Sequence, residues 1–297
     1  SASIVLALIL GGLVMMIALP DGATPIDGYS TILAGALGKK TAIRQTVKIA
    51  VPLLGCALAI APCFKMRFWN IGGEGQVLVG GLAAAACMIT LADKVPNVVV
   101  VLLMVVCSLG AGAIWGLIPA FFKAKWNTNE TLFTLMMNYI ATQLVAFFTI
   151  VWEVPKGSGK IGIINQNTNV GWLPQLFGSK YLLPIVVAVI VTVFMHIYLW
   201  YSKHGYEICV VGESENTAKY VGIKVEKVII RTMILSGAIC GLVGLLLVGG
   251  INHTVTTTIA GGQGFTAVLV SWMSKFNPFT MIFSSLLIVF MDRGASE

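Results

Sequence analysis

The 297-residue sequence contains few charged residues. Asp, Glu, Lys and Arg together make up 10% of the chain, whereas 57% is hydrophobic and the mean hydropathy is +0.91. Soluble domains carry about 25% charged residues, so this composition argues against a soluble enzyme or a nucleic-acid binder, despite the formal charge of +7. We therefore expect an integral membrane protein whose basic residues reflect its topology and its contact with anionic membrane lipid.

The sequence also lacks the motifs of several catalytic and metal-binding classes. No string completes the phosphate-binding loop GxxxxGK[ST], and HExxH and GxSxG do not occur. The six cysteines have no CxxC spacing, and none lies in residues 21–45 or 153–180. This argues against a metal site and against an extracytoplasmic disulfide framework. We expect no catalytic residue, no metal and no cofactor on this chain, so any ATP dependence would have to come from a partner.

Charge is absent from eight long stretches. They are residues 1–20, 49–64, 75–92, 95–122, 131–152, 181–202, 232–274 and 276–291. A helix needs about 20 apolar residues to cross a bilayer, so most stretches hold one spanning helix. The seventh is too long for one helix, and polar residues divide it. The pattern predicts an all-α, polytopic helical membrane protein with about eight membrane helices in a single domain, residues 1–297, broken near residues 68–76 and 252–264.

The first break, residues 68–76, combines glycines with a carboxylate and side-chain amides. Irregular backbone at membrane depth is tolerated only against protein or a water-filled cavity, and such breaks often mark a substrate path. Asn70, Glu74 and Gln76 are therefore candidate pathway residues. The alternative is an ordinary turn at the membrane surface.

Asn138 is a further candidate because it lies about a third of the way into a charge-free stretch. An amide at that depth needs a partner, so Asn138 either lines a polar pathway or joins two helices. The second break, residues 252–264, is rich in threonine and glycine and is either an external loop or a gate. Before it, Gly237, Gly241 and Gly244 share one helix face, which predicts close helix packing.

The most charged connection between membrane helices is residues 202–231, here called the charged segment. Ser214 is predicted to cap a short helix from Glu215 to Val221, with Gly222 at the left-handed position that follows it. Such a helix is either a docking surface for a peripheral protein or part of a solvated loop.

Four strings in this order along the chain carry a resemblance to a known family. They are Asn70–Gln76 (NIGGEGQ), Asn129–Ala141 (NETLFTLMMNYIA), Val211–Ile223 (VGESENTAKYVGI) and Gly262–Pro278 (GQGFTAVLVSWMSKFNP). The sequence resembles the permease subunits of bacterial ABC importers for nucleosides, in the wider family that also serves branched-chain amino acids, ribose and similar sugars. The resemblance covers about residues 1–297, and NIGGEGQ is more similar to the nucleoside branch than to the sugar branch.

This resemblance implies an orientation, which counting basic residues leaves open. The charged segment would be cytoplasmic and would couple the chain to an ATPase, and residues 153–180 would form an extracytoplasmic loop. The expected coupling residues are Glu213, Ser214, Glu215, Ala218, Tyr220 and Gly222. Ser214 and Glu215 stand where relatives often have Asn-Pro. Family members also usually extend beyond both ends of this sequence, so we expect it to be part of a longer chain.

The resemblance further implies a set of partners in the bacterial plasma membrane. They are ABC ATPase subunits that bind ATP and Mg, a paralogous second permease, and an extracytoplasmic nucleoside-binding lipoprotein. A neutral nucleoside calls for hydrogen-bonding amides, which suits Asn70, Gln76 and Asn138. Glu74 would either face the pathway or be held by nearby backbone amides of Gly72, Gly73 or Gly75.

Three alternatives to a nucleoside permease stay open at this point. The nearest is an ABC permease for a ribose-type sugar or for branched-chain amino acids. A structural or scaffolding membrane protein is another, but it would leave the polar breaks without a purpose. The third is an ATP-independent channel or an ion-coupled secondary transporter, and an ion-coupled carrier would be expected to place ionisable groups inside its helices. Only His196 and Glu74 qualify for that role.

Overall fold

The computed structural model describes residues 2–18, 24–38, 40–92 and 94–294 and contains no strand in them. The helices are α1 (Ala2–Ala18), α2 (Pro25–Leu37), α3 (Lys40–Lys65), α4 (Gly73–Leu91), α5 (Asn97–Trp126), α6 (Glu130–Val151), α7 (Leu182–Tyr201), α8 (Lys203–Glu213), α9 (Glu215–Tyr220), α10 (Val225–Leu245), α11 (Gln263–Met273) and α12 (Pro278–Gly294). A π-helical segment, Leu246–Asn252, continues α10. The predicted all-α class is confirmed.

Six helices in the described part of the chain are long and apolar enough to cross a membrane. They are α3, α4, α5, α6, α7, and α10 together with its π-helical continuation. A polytopic membrane protein is therefore confirmed, but the predicted count of about eight spanning helices is not. Helix α11 has 11 residues, too few to cross a bilayer, and the described parts of α1 and α12 have 17 each, at the lower limit of a range of about 17–25.

The chain forms two compact units, one from residues 1–50 and 286–297 and the other from residues 51–285. In the first unit, helix α2 begins with a reciprocal cap. The Asp27 N–H donates to the Thr24 hydroxyl, and the Thr24 N–H donates to the Asp27 carboxylate at 2.8 Å. These bonds satisfy backbone donors that the first turn of a helix leaves open.

In the second unit, helices α4, α5 and α10 pack with their backbones in contact. A Cβ atom on Gly237 would overlap the carbonyl oxygen of Gly112 in α5, and one on Gly244 would overlap that of Val77 in α4. Gly241 lies equally close to α5. The predicted close-packing face of α10 is confirmed. Because these glycines carry no side chains, the backbones of the three helices can approach each other closely.

The first break lies well inside the helix bundle. Asn70 Nδ2 donates to the hydroxyl of Ser236 at 3.1 Å, and Ser236 is the twelfth residue of α10. At 1.5 Å per residue, this contact lies about 16 Å along α10 from its start. The chain therefore leaves α3 at Lys65 and turns back into the bundle before α4 begins at Gly73. The break is therefore packed into the bundle through Asn70, whereas the side chains of Arg67 and Trp69 are exposed.

Candidate functional site

The two predicted breaks meet at Glu74. Its carboxylate oxygens accept hydrogen bonds from the backbone N–H groups of Gly262 and Gly264, both at 2.8 Å. Gly262 precedes α11 and Gly264 lies in its first turn. A carboxylate at the N-terminus of a helix accepts hydrogen bonds from N–H groups that lack a partner within the helix. Its negative charge also interacts favourably with the positive end of the helix dipole. Glu74 therefore joins the start of α4 to the start of α11; we call this contact the Glu74 joint.

The partners of Glu74 differ from those expected. The sequence suggested Gly72, Gly73 or Gly75, which are its neighbours, but the donors come from the second break, 188 and 190 residues further along the chain. Gly264 also explains why the start of α11 can lie so close to the start of α4. A Cβ atom on Gly264 would overlap backbone atoms of Glu74 and Gly73, so only glycine permits this approach.

Asn70 and Gln76, the other two predicted residues of the first break, are buried, with 0% and 1% of their surfaces exposed. Asn70 Oδ1 accepts from the N–H of Gly72 at 3.0 Å and from Nε2 of Gln76 at 3.4 Å. Gln76 Oε1 is buried and finds no donor among the described residues. Asn70 therefore holds the irregular backbone of the first break through Gly72, and Gln76 contacts that backbone only by way of Asn70.

Asn138 joins helix α6 to the first break. Its Oδ1 accepts from the N–H of Gly75 at 2.8 Å, and its Nδ2 donates to the carbonyl of Ile71 at 2.9 Å. Of the two roles that the sequence left open, the structure shows this joining contact. Thr134, one turn earlier in α6, adds a second contact, because its hydroxyl accepts from the N–H of Ile71 at 3.3 Å.

The short helix of the charged segment forms as predicted. Ser214 caps α9 by accepting from the N–H of Thr217, and Gly222 adopts a left-handed φ of +81°. The Gly222 N–H donates to the carbonyl of Lys219, and the Ile223 N–H donates to that of Ala218. This pair of bonds is the Schellman arrangement, in which a left-handed residue ends the helix.

The surface of this helix is only partly available for contacts. Ala218, which the sequence places among the coupling residues, is fully buried, whereas 92% of the Tyr220 surface is exposed. Glu213 and Glu215 are exposed as well, and neither forms an ion pair within the described residues. The exposed surface at the end of α8 and on α9 therefore includes two carboxylates and an aromatic ring that form no ion pair or ring contact in the described part of the chain, and Lys219 is exposed beside them.

The charged segment contacts the chain just before the first break. Gly212 in α8 lies against the carbonyl of Lys65, where a Cβ atom would not fit. Lys65 is the last residue of α3, and its ammonium group lies 5.0 Å from the ring centroid of Trp200. Movement of α8 would therefore press directly on the end of α3, five residues before Asn70.

Residues 153–180, here called the polar loop, cover the opposite end of α4. Asn165 Nδ2 donates to the carbonyl of Met88, and the Ile164 N–H donates to that of His253, just after the π-helical segment. Within the loop, the backbone N–H groups of Gly157 and Gly159 hold the pKa of Glu153 below its ordinary value. The loop and the charged segment therefore lie at opposite ends of α4.

A family model described as "Branched-chain amino acid transport system / permease component" matches residues 42–297. The chain belongs to this family. The match covers both breaks, the charged segment and the polar loop. Permease components of this kind are multi-pass membrane subunits that work with an ATPase and a substrate-binding protein, and the six apolar helices agree with this assignment.

Three curated relatives extend over 99% of this permease chain. It is 28% identical to the nucleoside ABC transporter permease protein NupB of Lactococcus lactis subsp. cremoris and 29% identical to the guanosine ABC transporter permease protein NupP of Bacillus subtilis. It is 26% identical to the glucose ABC transporter permease protein TsgB13 of Haloferax volcanii. The alignments cover 82%, 84% and 79% of those proteins. No solved structure matches this chain.

The residues that sequence reasoning missed are the partners of the predicted ones. They are Gly262, Gly264, Ser236 and Thr134. The glycine-rich string that starts at Gly261 was a usable signal, because a buried carboxylate calls for N–H donors and such a string can supply them. Ser236 and Thr134 gave no signal, since single hydroxyl groups are common in apolar helices.

Proposed function

We propose that this chain is the membrane-spanning permease subunit of an ATP-driven importer that passes nucleosides inward across the bacterial plasma membrane. The observation that carries the substrate class is its similarity, over 99% of the chain, to two permeases named for nucleoside and guanosine transport. The Glu74 joint supports it. Because backbone N–H groups engage the carboxylate, the joint presents no unpaired charge, which suits a neutral ligand.

In this proposal an extracytoplasmic binding protein, a lipoprotein, delivers the nucleoside at the polar loop. The nucleoside then crosses between this chain and a paralogous second permease. Asn70, Glu74, Gln76 and Asn138 shape the wall of the pathway by fixing the first break. Affinity resides in the binding protein, so the pathway need only offer uncharged hydrogen-bonding groups as the ligand passes.

The coupling step assigns a role to the charged segment. ATP and Mg bind to the partner ATPase subunits and not to this chain, which has no catalytic site of its own. Glu213, Glu215 and Tyr220 contact the ATPase, while Ser214 and Gly222 set the ends of α9 and buried Ala218 anchors it. Movement of the ATPase passes through Gly212 to the end of α3. This movement then reaches the first break, and the Glu74 joint makes α4 and α11 move together.

Uptake measurements test this proposal. Cells with and without the gene are supplied with labelled guanosine, uridine, ribose and glucose, before and after ATP depletion. The proposal predicts that deletion abolishes the ATP-dependent uptake of nucleosides and leaves sugar uptake unchanged. Gene-dependent uptake that survives ATP depletion would contradict an ATP-driven importer.

A sugar permease is the second candidate, and the similarity to the glucose permease supports it. The same measurement separates the two. If deletion abolishes the uptake of ribose or glucose and spares guanosine and uridine, the nucleoside assignment is wrong and the ATP-driven mechanism is retained.

A further inference from the structure

A cavity of about 470 Å³ lies in the charged segment, between α8 and the start of α10. Its walls include Lys203, Tyr206 and Glu207 from α8, and Lys224, Lys227 and Arg231 from the other side. Ligand sites in proteins commonly have volumes of about 300–1,000 Å³, so the cavity is large enough for a small anion or a lipid headgroup. The proposed transport role uses Gly222, which also lines the cavity, but gives no role to the charged side chains of its walls.

The charges in this cavity are unbalanced. Four of the lining side chains are basic and one is acidic, which gives three positive charges in excess. Arg231 donates to the Glu207 carboxylate at 2.9 Å, and each of these two side chains is less than one-third exposed. Burial raises the pKa of Glu207, but the contact with Arg231 outweighs burial and holds the pKa below its ordinary value. Glu207 is therefore an anion whose charge Arg231 already neutralises.

None of the three lysines has a counter-charge in direct contact, although Lys203 is close enough to Glu207 to help lower the pKa of that carboxylate. Lys203, Lys224 and Lys227 form no ion pair within the described residues. The other carboxylates of the charged segment, those of Glu213, Glu215 and Glu226, are not among the cavity walls. Three ammonium groups around one concave space repel each other unless an anion binds between them.

The start of α10 adds to the positive potential. This 21-residue helix has no side-chain cap at its N-terminus, and Lys224, the residue at the cap position, lines the cavity. The N-terminus of a helix carries a partial positive charge and attracts anions, phosphate groups in particular.

We propose that this cavity binds a phosphate-bearing anion, either the phosphate of an anionic lipid headgroup or a soluble phosphate. Arginine and lysine are the side chains that recognise phosphate. The position of the cavity suits a lipid, because its walls come from the start of α10, a helix that is able to span the membrane, and from α8, which directly follows the spanning helix α7. Basic pockets beside membrane helices bind anionic headgroups in this way. Tyr206, 64% exposed at the cavity wall, offers an interfacial aromatic ring.

Thermal unfolding of the purified chain in an uncharged detergent tests this site without any transport assay. The probes are phosphatidylglycerol, phosphatidylcholine and inorganic phosphate, each titrated separately. We expect phosphatidylglycerol to raise the unfolding temperature in a saturable manner and phosphatidylcholine to have no such effect. Replacing two lysines together, Lys224→Gln with Lys227→Gln, should weaken the apparent affinity at least tenfold.

Lys219→Gln is the matched control, because Lys219 lies in the same charged segment, is exposed and does not line the cavity. It should leave the affinity within twofold of the unaltered chain. If the double variant does not fold, Lys203→Gln on the opposite wall replaces it. A saturable effect of inorganic phosphate that also depends on these lysines would retain the site and identify a soluble ligand. The proposal is overturned if Lys219→Gln weakens lipid binding as much as the cavity variants, or if neither phosphatidylglycerol nor phosphate gives a saturable shift.

Discussion

The first break and the exposed face of α9 are both rich in polar residues, but their polar groups are used differently. In the first break, Asn70, Glu74 and the backbone of Gly75 bond to three other parts of the chain, which are α10, the second break and Asn138 in α6. On α9, the side chains of Glu215 and Tyr220 are exposed. The break therefore depends on contacts within the chain, whereas the face of α9 requires a partner for its function.

Buried and exposed polar groups therefore have to be interpreted differently when function is inferred. A buried polar group that the chain itself satisfies contributes to stability, so a substitution there changes folding first and transport second. An exposed polar group without a partner contributes little to folding. The comparison therefore predicts a large loss of stability for substitutions in the break and almost no loss for substitutions on the exposed face of α9.

The largest loss of stability is expected for Gly264→Ala. The added Cβ would overlap the backbone of Glu74 and Gly73, and neither backbone can move without opening the joint. We expect the free energy of unfolding to fall by at least about 3 kcal/mol, at or above the upper end for overpacked cores. The midpoint of thermal unfolding in detergent measures the effect.

Gly110→Ala is the control for that variant. Gly110 lies within α5, and a Cβ atom there would meet no atom within 4 Å. Alanine forms helix better than glycine, so the control should be neutral or slightly stabilising. Equal stability of the two variants would show that Gly264 does not lie against Glu74 as described.

A smaller loss is expected for Asn138→Leu. The change leaves the Gly75 N–H and the Ile71 carbonyl without their partner. Each unsatisfied buried group costs about 1–3 kcal/mol, so the two groups together should cost at least about 2 kcal/mol, measured by thermal unfolding. Thr142→Val, one turn further along α6, removes a hydroxyl that bonds to the carbonyl of Asn138 in its own helix. If Asn138→Leu were no more destabilising than this control, the joining contact would be refuted.

The smallest effect on stability belongs to α9. Glu215→Lys combined with Tyr220→Ala changes two exposed side chains, so the unfolding temperature should stay nearly unchanged. Co-purification with the ATPase subunit should be lost, because these side chains form the proposed contact. Tyr201→Ala alters another exposed tyrosine, 79% exposed at the end of α7, and should leave co-purification intact. Retained co-purification of the double variant would mean that another surface binds the ATPase.

Local signals in the sequence predicted much of this fold. The cap and C-terminal turn of α9 depend on residues within ten positions of each other, and the glycine face of α10 follows from helical periodicity. Both breaks were visible as polar interruptions of apolar stretches. The Glu74 joint was not predictable in this way, because its partners lie at the other end of the chain and only the packing of α4 and α11 brings them together. Nor did the pattern reveal that Ala218 faces inward.

Replacing Glu74 by glutamine tests the central claim most directly. Glutamine keeps one acceptor oxygen, but its amide NH2 group would face the second backbone N–H, so that two donors meet. The substitution also removes the negative charge at the start of α11. Glu226→Gln is the control, since Glu226 also lies in the first turn of a helix but is exposed. We predict that Glu74→Gln lowers the free energy of unfolding by at least about 2 kcal/mol. The control should lose less than about 1 kcal/mol, and equal losses in the two variants would contradict the role of Glu74 as the joint between the two breaks.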